Sequence, residues 1–221
     1  MRSAEQTVQG ISKQALLRLP YYLNYLKLLQ KEGTTVVSAP KIAAALALNE
    51  VQVRKDIALV SSCAGKPKTG FQVDLLIHDL ESFLGYDNVD EAVLIGAGQL
   101  GRSLLGYKGF TDYGLQIVAA FDSDPALFDL RFDGEQRIFP MEKLEDLCRR
   151  LCVHIGIICV PPKSAQEVCD RLVACGIRAI WNFAPTHLTV PDGVLLQNEN
   201  MASSLAVLSA HLKQSMDSSE I

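Results

Sequence analysis

The chain has 221 residues, 48% of them hydrophobic and 21% charged, with a formal net charge of −4. This composition excludes a disordered chain, a collagen-like repeat and a small disulfide scaffold, leaving one large α/β domain or two small ones. No apolar run nears the ~18 residues of a membrane span. The opening Met1-Arg2-Ser3-Ala4-Glu5-Gln6 carries no signal-peptide stretch, so a cytoplasmic protein is expected.

The first predicted element is a helix over residues 11–31, from apolar residues at helical spacing (Leu16, Leu17, Tyr21, Leu28). Ser12 is its cap, Pro20 an interruption and Glu32-Gly33 its end. A short helix follows, capped by Ser38 with Pro40 in its first turn, and a third of about ten residues opens at Asn49. Two short helices about three residues apart make a helix-turn-helix pattern. On the third, Val53, Ile57 and Val60 share one side, while Gln52, Arg54, Lys55 and the small Ala58 occupy the other. Long donors flanking a small residue suit a major groove. Gly65-Lys66-Pro67-Lys68-Thr69-Gly70 reads as the basic tip of a wing, able to contact backbone or minor groove through Lys66 and Lys68. A helix over 74–84, with Leu75, Leu76, Leu80 and Leu84 inward, closes this part of the chain.

Charge divides at the same place. Residues 1–85 hold ten Lys and Arg against seven Asp and Glu, a net +3, and the remainder nets −7. The split points to two domains, the first with an anionic partner.

The second half alternates strands (92–95, 115–121, 153–160, 177–181, 194–196) with helices beginning near Gly98, Met141, Lys163 and Met201, the pattern of a mostly parallel sheet. The last helix is apolar at Met201, Leu205, Leu208 and Leu212, a stripe that needs a surface to cover it. Directly after the first strand stands Gly96-Ala97-Gly98-Gln99-Leu100-Gly101, a G-x-G-x-x-G entering a helix. Gly96 permits the tight turn, Gly98 the approach of a pyrophosphate and Gly101 the helix–strand contact. The next strand ends in Asp122, whose carboxylate can accept both ribose hydroxyls. Ser123-Asp124-Pro125 supplies no Arg for a 2′-phosphate, so NAD(H) is expected over NADP(H).

No catalytic residue is assigned. The tyrosines form no Tyr-x-x-x-Lys pair, His154 falls in a predicted core strand, His211 on the last helix, and His187 in the loop after Trp181–Pro185. Cys63, Cys148, Cys152, Cys159, Cys169 and Cys175 form no C-x-x-C and read as small core residues in a reducing cytosol. A redox role for Cys148 and Cys152, which share a helix face, is the alternative. No metal is assigned.

At these residues the chain resembles the Rex family of redox-sensing transcriptional repressors over nearly its whole length. The matching segments are Ile11-Ser12-Lys13 with Arg18-Leu19-Pro20-Tyr21-Tyr22-Leu23, Gln52-Val53-Arg54-Lys55-Asp56, the glycine signature, Tyr107-x-Gly109-Phe110, Ala120–Pro125 and Asn182-Phe183-Ala184-Pro185. The resemblance implies an α/β protein with an N-terminal winged helix-turn-helix domain (1–85), a Rossmann-like NAD(H)-binding domain (86–199), a C-terminal helix swapped onto a partner subunit (200–216) and a disordered tail (217–221). It further implies a homodimer that binds palindromic operator DNA and is released when NADH binds. By matching position, Gly96, Ala97, Gly98, Gln99, Leu100, Gly101 and Asp122 bind the cofactor. Val160, Pro161, Asn182 and Phe183 approach the nicotinamide, and Tyr107 lies near the subunit contact.

There are departures from the family. The wing, read as Ala58–Phe71, is one residue longer than in many relatives and lacks their aromatic, glycine-rich sequence, which bears on operator preference. Some relatives carry an Arg at the position of Asn24 and an Asp at that of Asn200, paired across subunits with NADH bound. Here a neutral amide contact is expected, or none. Two other readings stay open: an NAD-dependent oxidoreductase whose N-terminal helices serve dimerisation, and a nucleotide- or CoA-binding adaptor.

Overall fold

A computed structural model describes residues 11–62, 70–128, 130–132 and 136–219, and divides the chain after Asn88 into two compact units. Among the described residues no helix is long and apolar enough to cross a membrane.

The first unit contains helices α1 (Lys13–Lys31), α2 (Ala39–Ala45), α3 (Glu50–Val60) and α4 (Val73–Leu84), with strands β1 (Val36–Val37) and β2 (Phe71–Gln72) paired antiparallel. Three helix starts rest on side-chain caps: Ser12 accepts from the Ala15 N–H, Ser38 from Lys41, and Asn49 from Val51 and Gln52. Pro20, expected to interrupt α1, lies inside a continuous helix. A buried stripe of Leu19, Tyr22, Leu23, Leu26 and Leu29 flanks it, and this packing outweighs the ~3 kcal/mol of one interior proline.

The expected face of α1 is also corrected. Leu17, Tyr21 and Leu28 are exposed, and Leu16 is only partly buried. The helix is leucine-rich nearly all round, so spacing alone does not select a side. On α4, Leu75 is exposed, while Val73 and Ile77 join Leu76 and Leu80 in the core. Gly70, at φ +81°, lets the chain pass β1, because a Cβ there would stand 2.5 Å from the Val37 carbonyl oxygen. The basic tip with Lys66 and Lys68, and Cys63 beside it, lies outside the described residues.

The second unit is built on a seven-stranded sheet. Its strands are β3 (Asp90–Ile95), β4 (Leu115–Asp122), β5 (Arg131–Phe132), β6 (Gln136–Pro140), β7 (Ile155–Ile158), β8 (Ala179–Asn182) and β9 (Leu195–Asn198), in the spatial order β5-β6-β4-β3-β7-β8-β9. All neighbours are parallel except β5, which pairs antiparallel with β6. Helices α5 (Gln99–Leu105), α6 (Leu144–Leu151) and α7 (Pro162–Ala174) lie along the chain between strands, and α8 (Met201–Ser219) closes it.

Alternate residues of β3 enter two different hydrophobic clusters, Ala92 and Leu94 in one, Val93 and Ile95 in the other, so both faces of the sheet are covered. A bulge opposite Ala92 and Val93 shifts the β4 register by one residue, which puts Ile117 and Ala120 in the same cluster despite their odd spacing. His154, expected in a strand, is exposed just before β7, and β5 and β6 have no counterpart among the expected strands. Residues 217–219, expected in a disordered tail, belong to α8. Every α8 side chain described through Met216 is exposed, including Leu205, Leu208 and Leu212.

Candidate functional site

The sheet order reverses between β3 and β7, and ligands in open α/β sheets bind beyond the carboxyl ends of the strands at such a point. A cleft of about 730 Å³ lies there. Gly96, at φ +97°, turns the chain out of β3, and a Cβ on it would stand 2.7 Å from the Cys159 backbone. A Cβ on Gly101 would overlap the carbonyl oxygen of Gly96, so only glycine lets α5 start against the strand. A Cβ on Gly98 would meet open space, because that peptide faces the cleft with no protein over it. This is the cradle a pyrophosphate requires: two positions closed by protein, one bare.

Asp122 is the anchor of the turn. Its Oδ2 accepts from the Ala97 N–H at 2.7 Å and its Oδ1 from the Asp124 N–H at 2.9 Å. Each carboxylate oxygen retains a second lone pair, and Asp122 lines the cleft.

Of the residues expected at the cofactor, Gly96, Gly98, Leu100, Asp122, Val160, Pro161 and Phe183 line the cleft. Ala97 and Gly101 are buried behind it, and Gln99 is exposed at the start of α5. Asn182 is wholly buried and does not line the cleft. Its side-chain amide instead holds the loop that carries Phe183, accepting from the Ala184 N–H and donating to the Thr186 carbonyl and to Asn198 Oδ1 at 2.8 Å.

The far wall of the cleft carries no motif of its own. Ser164, Glu167, Val168 and Arg171 line it from α7, at a helical spacing that becomes readable once that helix is placed after the β7 end. Arg171 is tied to the wall by a 2.8 Å bond to the Met141 carbonyl. Cys159 also lines the cleft, its thiol pushed up to about 12 by burial and therefore neutral. Cys148 and Cys169 are buried and Cys152 is exposed. The Cys148 thiol is likewise raised to about 12, first by burial.

Tyr107 is half exposed and sits edge-on to Phe110 at 5.0 Å between centroids. Gly109 leaves room for its ring, since a Cβ there would meet the ring at 2.5 Å. Phe110 contacts Trp181, and Trp181 contacts Phe183, so a run of rings joins Tyr107 to the cleft wall. Trp181 Nε1 donates to Glu199 Oε1 at 2.8 Å. Asn200, next in sequence, caps α8 by accepting from the Ser203 N–H at 3.0 Å.

In the first unit, Gln52, Arg54 and Lys55 stand exposed on α3, with Val53 and Ile57 buried beneath them. Arg54 pairs with Glu50 one turn away. Asn24 is exposed on α1 between Tyr21 and Leu28. Asp56, which the sequence names only within the Gln52–Asp56 family segment and without a role, is 4% exposed. It accepts from Arg18 Nε at 2.8 Å and Nη2 at 3.0 Å, and from the Tyr22 hydroxyl at 2.7 Å. Burial and the bond it donates to Asp56 push the Tyr22 hydroxyl up to about 12. The bond to Asp56 raises Arg18.

Comparison with known proteins decides the family. "Redox-sensing transcriptional repressor Rex" of Porphyromonas gingivalis is 38% identical over 203 residues, 92% of each chain. The protein of the same name from Treponema denticola is 42% identical over 191 residues, 86% of this chain and 90% of its own. The chain belongs to the Rex family. Solved structures of the Rex-family repressor RSP agree. RSP in complex with β-NAD+ and operator DNA matches with a TM-score of 0.88 at 33% identity, covering 97% of both chains. RSP with β-NADH matches with a TM-score of 0.85, covering 97% of this chain and 99% of that one. Family models match in two blocks, a "CoA binding domain" at residues 87–186 and a "Putative DNA-binding protein N-terminus" at 10–58. The expected family and fold class, an N-terminal DNA-binding domain followed by a Rossmann-like one, are thereby met.

Proposed function

We propose that this Rex-family chain is a transcriptional repressor that senses the NADH/NAD+ ratio, holding palindromic operator DNA when NADH is low and leaving it when NADH binds. The observation that carries this is the glycine turn locked to Asp122 beside a 730 Å³ cleft, in a chain that also presents Gln52, Arg54 and Lys55 on a helix-turn-helix. RSP, the neighbour among solved structures, is found in complex with β-NADH, and with β-NAD+ and operator DNA, which supports NAD(H) over the CoA that one family model names.

In this reading the Gly98 to Gly101 end of the turn takes the pyrophosphate on backbone N–H groups at the helix start, the Gly96 and Ala97 N–H groups being taken by the Phe121 carbonyl and by Asp122. Asp122 accepts from the ribose hydroxyls and repels a 2′-phosphate. Val160, Pro161 and Phe183 form the nicotinamide end, with Asn182 a positioning residue behind them. Gln52, Arg54 and Lys55 enter the major groove, and Lys66 and Lys68 hold phosphates or the minor groove. No catalytic or metal role is assigned, and the protein acts in the cytoplasm, where its DNA is.

Residues 1–85 form the DNA reader, 86–199 the sensor, and 200–216 the part of α8 that crosses to a partner subunit in a homodimer. The exposed stripe of Leu205, Leu208 and Leu212 supports that crossing. Asn200 Oδ1 caps its own helix, and its Nδ2 is the donor that would meet the partner's Asn24, a neutral contact that makes induction less salt-dependent than an ion pair. A double-mutant cycle at Asn24 and Asn200 on NADH-induced release tests this, and zero coupling refutes it.

Sensing requires NADH to bind the DNA-free arrangement more tightly than the DNA-bound one, since a ligand of equal affinity for both shifts nothing. The test is to titrate NADH and NAD+ separately against the protein on a labelled palindrome selected by the protein itself. NADH releases the DNA and NAD+ does not. If neither nucleotide changes DNA binding, the reading fails. NADH consumption with candidate substrates would favour the oxidoreductase instead.

A further inference from the structure

The bonds that hold Asp56 also reach the surface of α3. Arg18, on α1, commits its Nε and one Nη2 N–H to the carboxylate, and its side chain is only 18% exposed. Above that pair lies Gln52, one turn before Asp56 on the same helix. With its amide oxygen toward Arg18, Gln52 accepts from Nη1 at 3.1 Å and from Nη2 at 3.0 Å. The reverse orientation would set an NH2 against two N–H donors. An amide oxygen has two lone pairs, and Arg18 fills both. The NH2 is then the only part of this exposed side chain with hydrogen-bonding capacity to spare.

That has a consequence for base reading. A glutamine that recognises adenine needs both ends of its amide, the oxygen accepting from N6 and the NH2 donating to N7. Gln52 has surrendered the acceptor end. A donor-only group matches guanine, the one base whose major-groove edge presents two acceptors, N7 and O6. We propose that Arg18 fixes the hydrogen-bonding sense of Gln52, so that α3 reads a guanine and not an adenine at the base pair Gln52 meets. Arg18 is thus a positioning residue, held in turn by the buried Asp56 and through it by Tyr22. The proposal rests on the reading that α3 enters the major groove, and its test separates the two.

The experiment is selection from a randomised palindromic library by the full-length protein, comparing wild type with Gln52→Ala, Gln52→Lys, Arg18→Lys, Arg54→Ala and Lys55→Ala. Wild type selects guanine over adenine on the order of tenfold at one position of each half-site. Gln52→Ala flattens that position alone, and Gln52→Lys, a donor-only group, keeps guanine there. In Arg18→Lys the ammonium stays with Asp56 and frees the glutamine oxygen, so the preference moves toward adenine. Adenine in the wild-type selection, loss of the guanine preference in Gln52→Lys, or no position flattened by Gln52→Ala overturns the proposal. Gln52 is exposed, so the Gln52→Lys outcome decides the matter even if Arg18→Lys fails to fold. If Gln52→Ala, Arg54→Ala and Lys55→Ala leave every base preference intact, the underlying reading of α3 fails as well. If Arg54→Ala flattens a position while Gln52 breaks the pattern, only the Arg18–Gln52 proposal falls.

Discussion

Replacing Asp122 with Asn keeps the shape of the side chain and removes one acceptor. In the native turn the two carboxylate oxygens take the Ala97 and Asp124 N–H groups at 2.7 and 2.9 Å. An amide satisfies one of these and sets its NH2 against the other, so one charge-assisted bond is lost, worth about 1.5–3 kcal/mol. The ribose also loses a charged acceptor. Together these lower NADH affinity by about 2 kcal/mol, roughly thirtyfold. The 2′-phosphate of NADPH no longer meets a full negative charge, so the gap between NADH and NADPH, expected to be about tenfold or more in the wild type, narrows. The assay is a nucleotide-fluorescence titration of both cofactors, with operator affinity measured in their absence. That operator affinity stays within about twofold of wild type, because Asp122 belongs to the second compact unit and α3 to the first. An NADH affinity within threefold of wild type refutes the reasoning, as does an equal loss of nucleotide-free operator binding.

Other substitutions test separate parts. Gly101→Ala drives a Cβ into the Gly96 carbonyl. It should cost about 1–3 kcal/mol or more of stability and remove NADH binding while operator binding persists, which a thermal melt and both titrations check. Below pH 10 Tyr22 is protonated in both folded and unfolded chains and contributes its full stabilisation. Between its unfolded value near 10 and its folded value of about 12 only the unfolded chain ionises, so stability falls by up to about 1.4 kcal/mol per pH unit. Tyr22→Phe removes that component of the alkaline slope in denaturant melts, and an unchanged slope contradicts the buried Tyr22–Asp56 bond. A Leu205→Ser and Leu208→Ser double variant exchanges two exposed leucines of α8 for polar groups. Each leucine buried against a partner is worth about 1.5–3 kcal/mol, so sedimentation should show dissociation at concentrations where wild type is dimeric. An unaltered dimer contradicts the crossing of α8.

The cofactor cleft is largely legible in the sequence because its chemistry is local. Gly96, Gly98 and Gly101 are bound to one another by a turn whose geometry tolerates no other side chain at two of the three positions, and Asp122 follows at the end of the next strand. The helix starts are legible for the same reason, since Ser12, Ser38 and Asn49 each act within three residues. What escapes depends on distance along the chain. Asp56 looks like one more surface acid until Arg18, 38 residues earlier, and Tyr22 are seen to enclose it. The α7 wall of the cleft is assembled by the sheet and not by any contiguous motif. Leu17, Tyr21 and Leu28 recur at helical spacing and are nonetheless exposed, because α1 is apolar on most sides and only the helices packed against it decide which face is core. Asn182 enters as a ligand contact only through the family resemblance, and its amide is taken up by its own loop and by Asn198 of β9.

The central claim is that NADH and operator DNA compete for different arrangements of one protein. Linkage makes that claim reciprocal: the factor by which NADH weakens operator binding must equal the factor by which operator weakens NADH binding. The most direct measurement is therefore the NADH dissociation constant with and without saturating operator. Trp181, the single tryptophan, packs with its ring tilted against Phe183, which lines the cleft, and offers an intrinsic reporter. The account predicts that operator weakens NADH binding by the same factor seen in the release titration and leaves NAD+ far less affected. An NADH affinity indifferent to operator would contradict it.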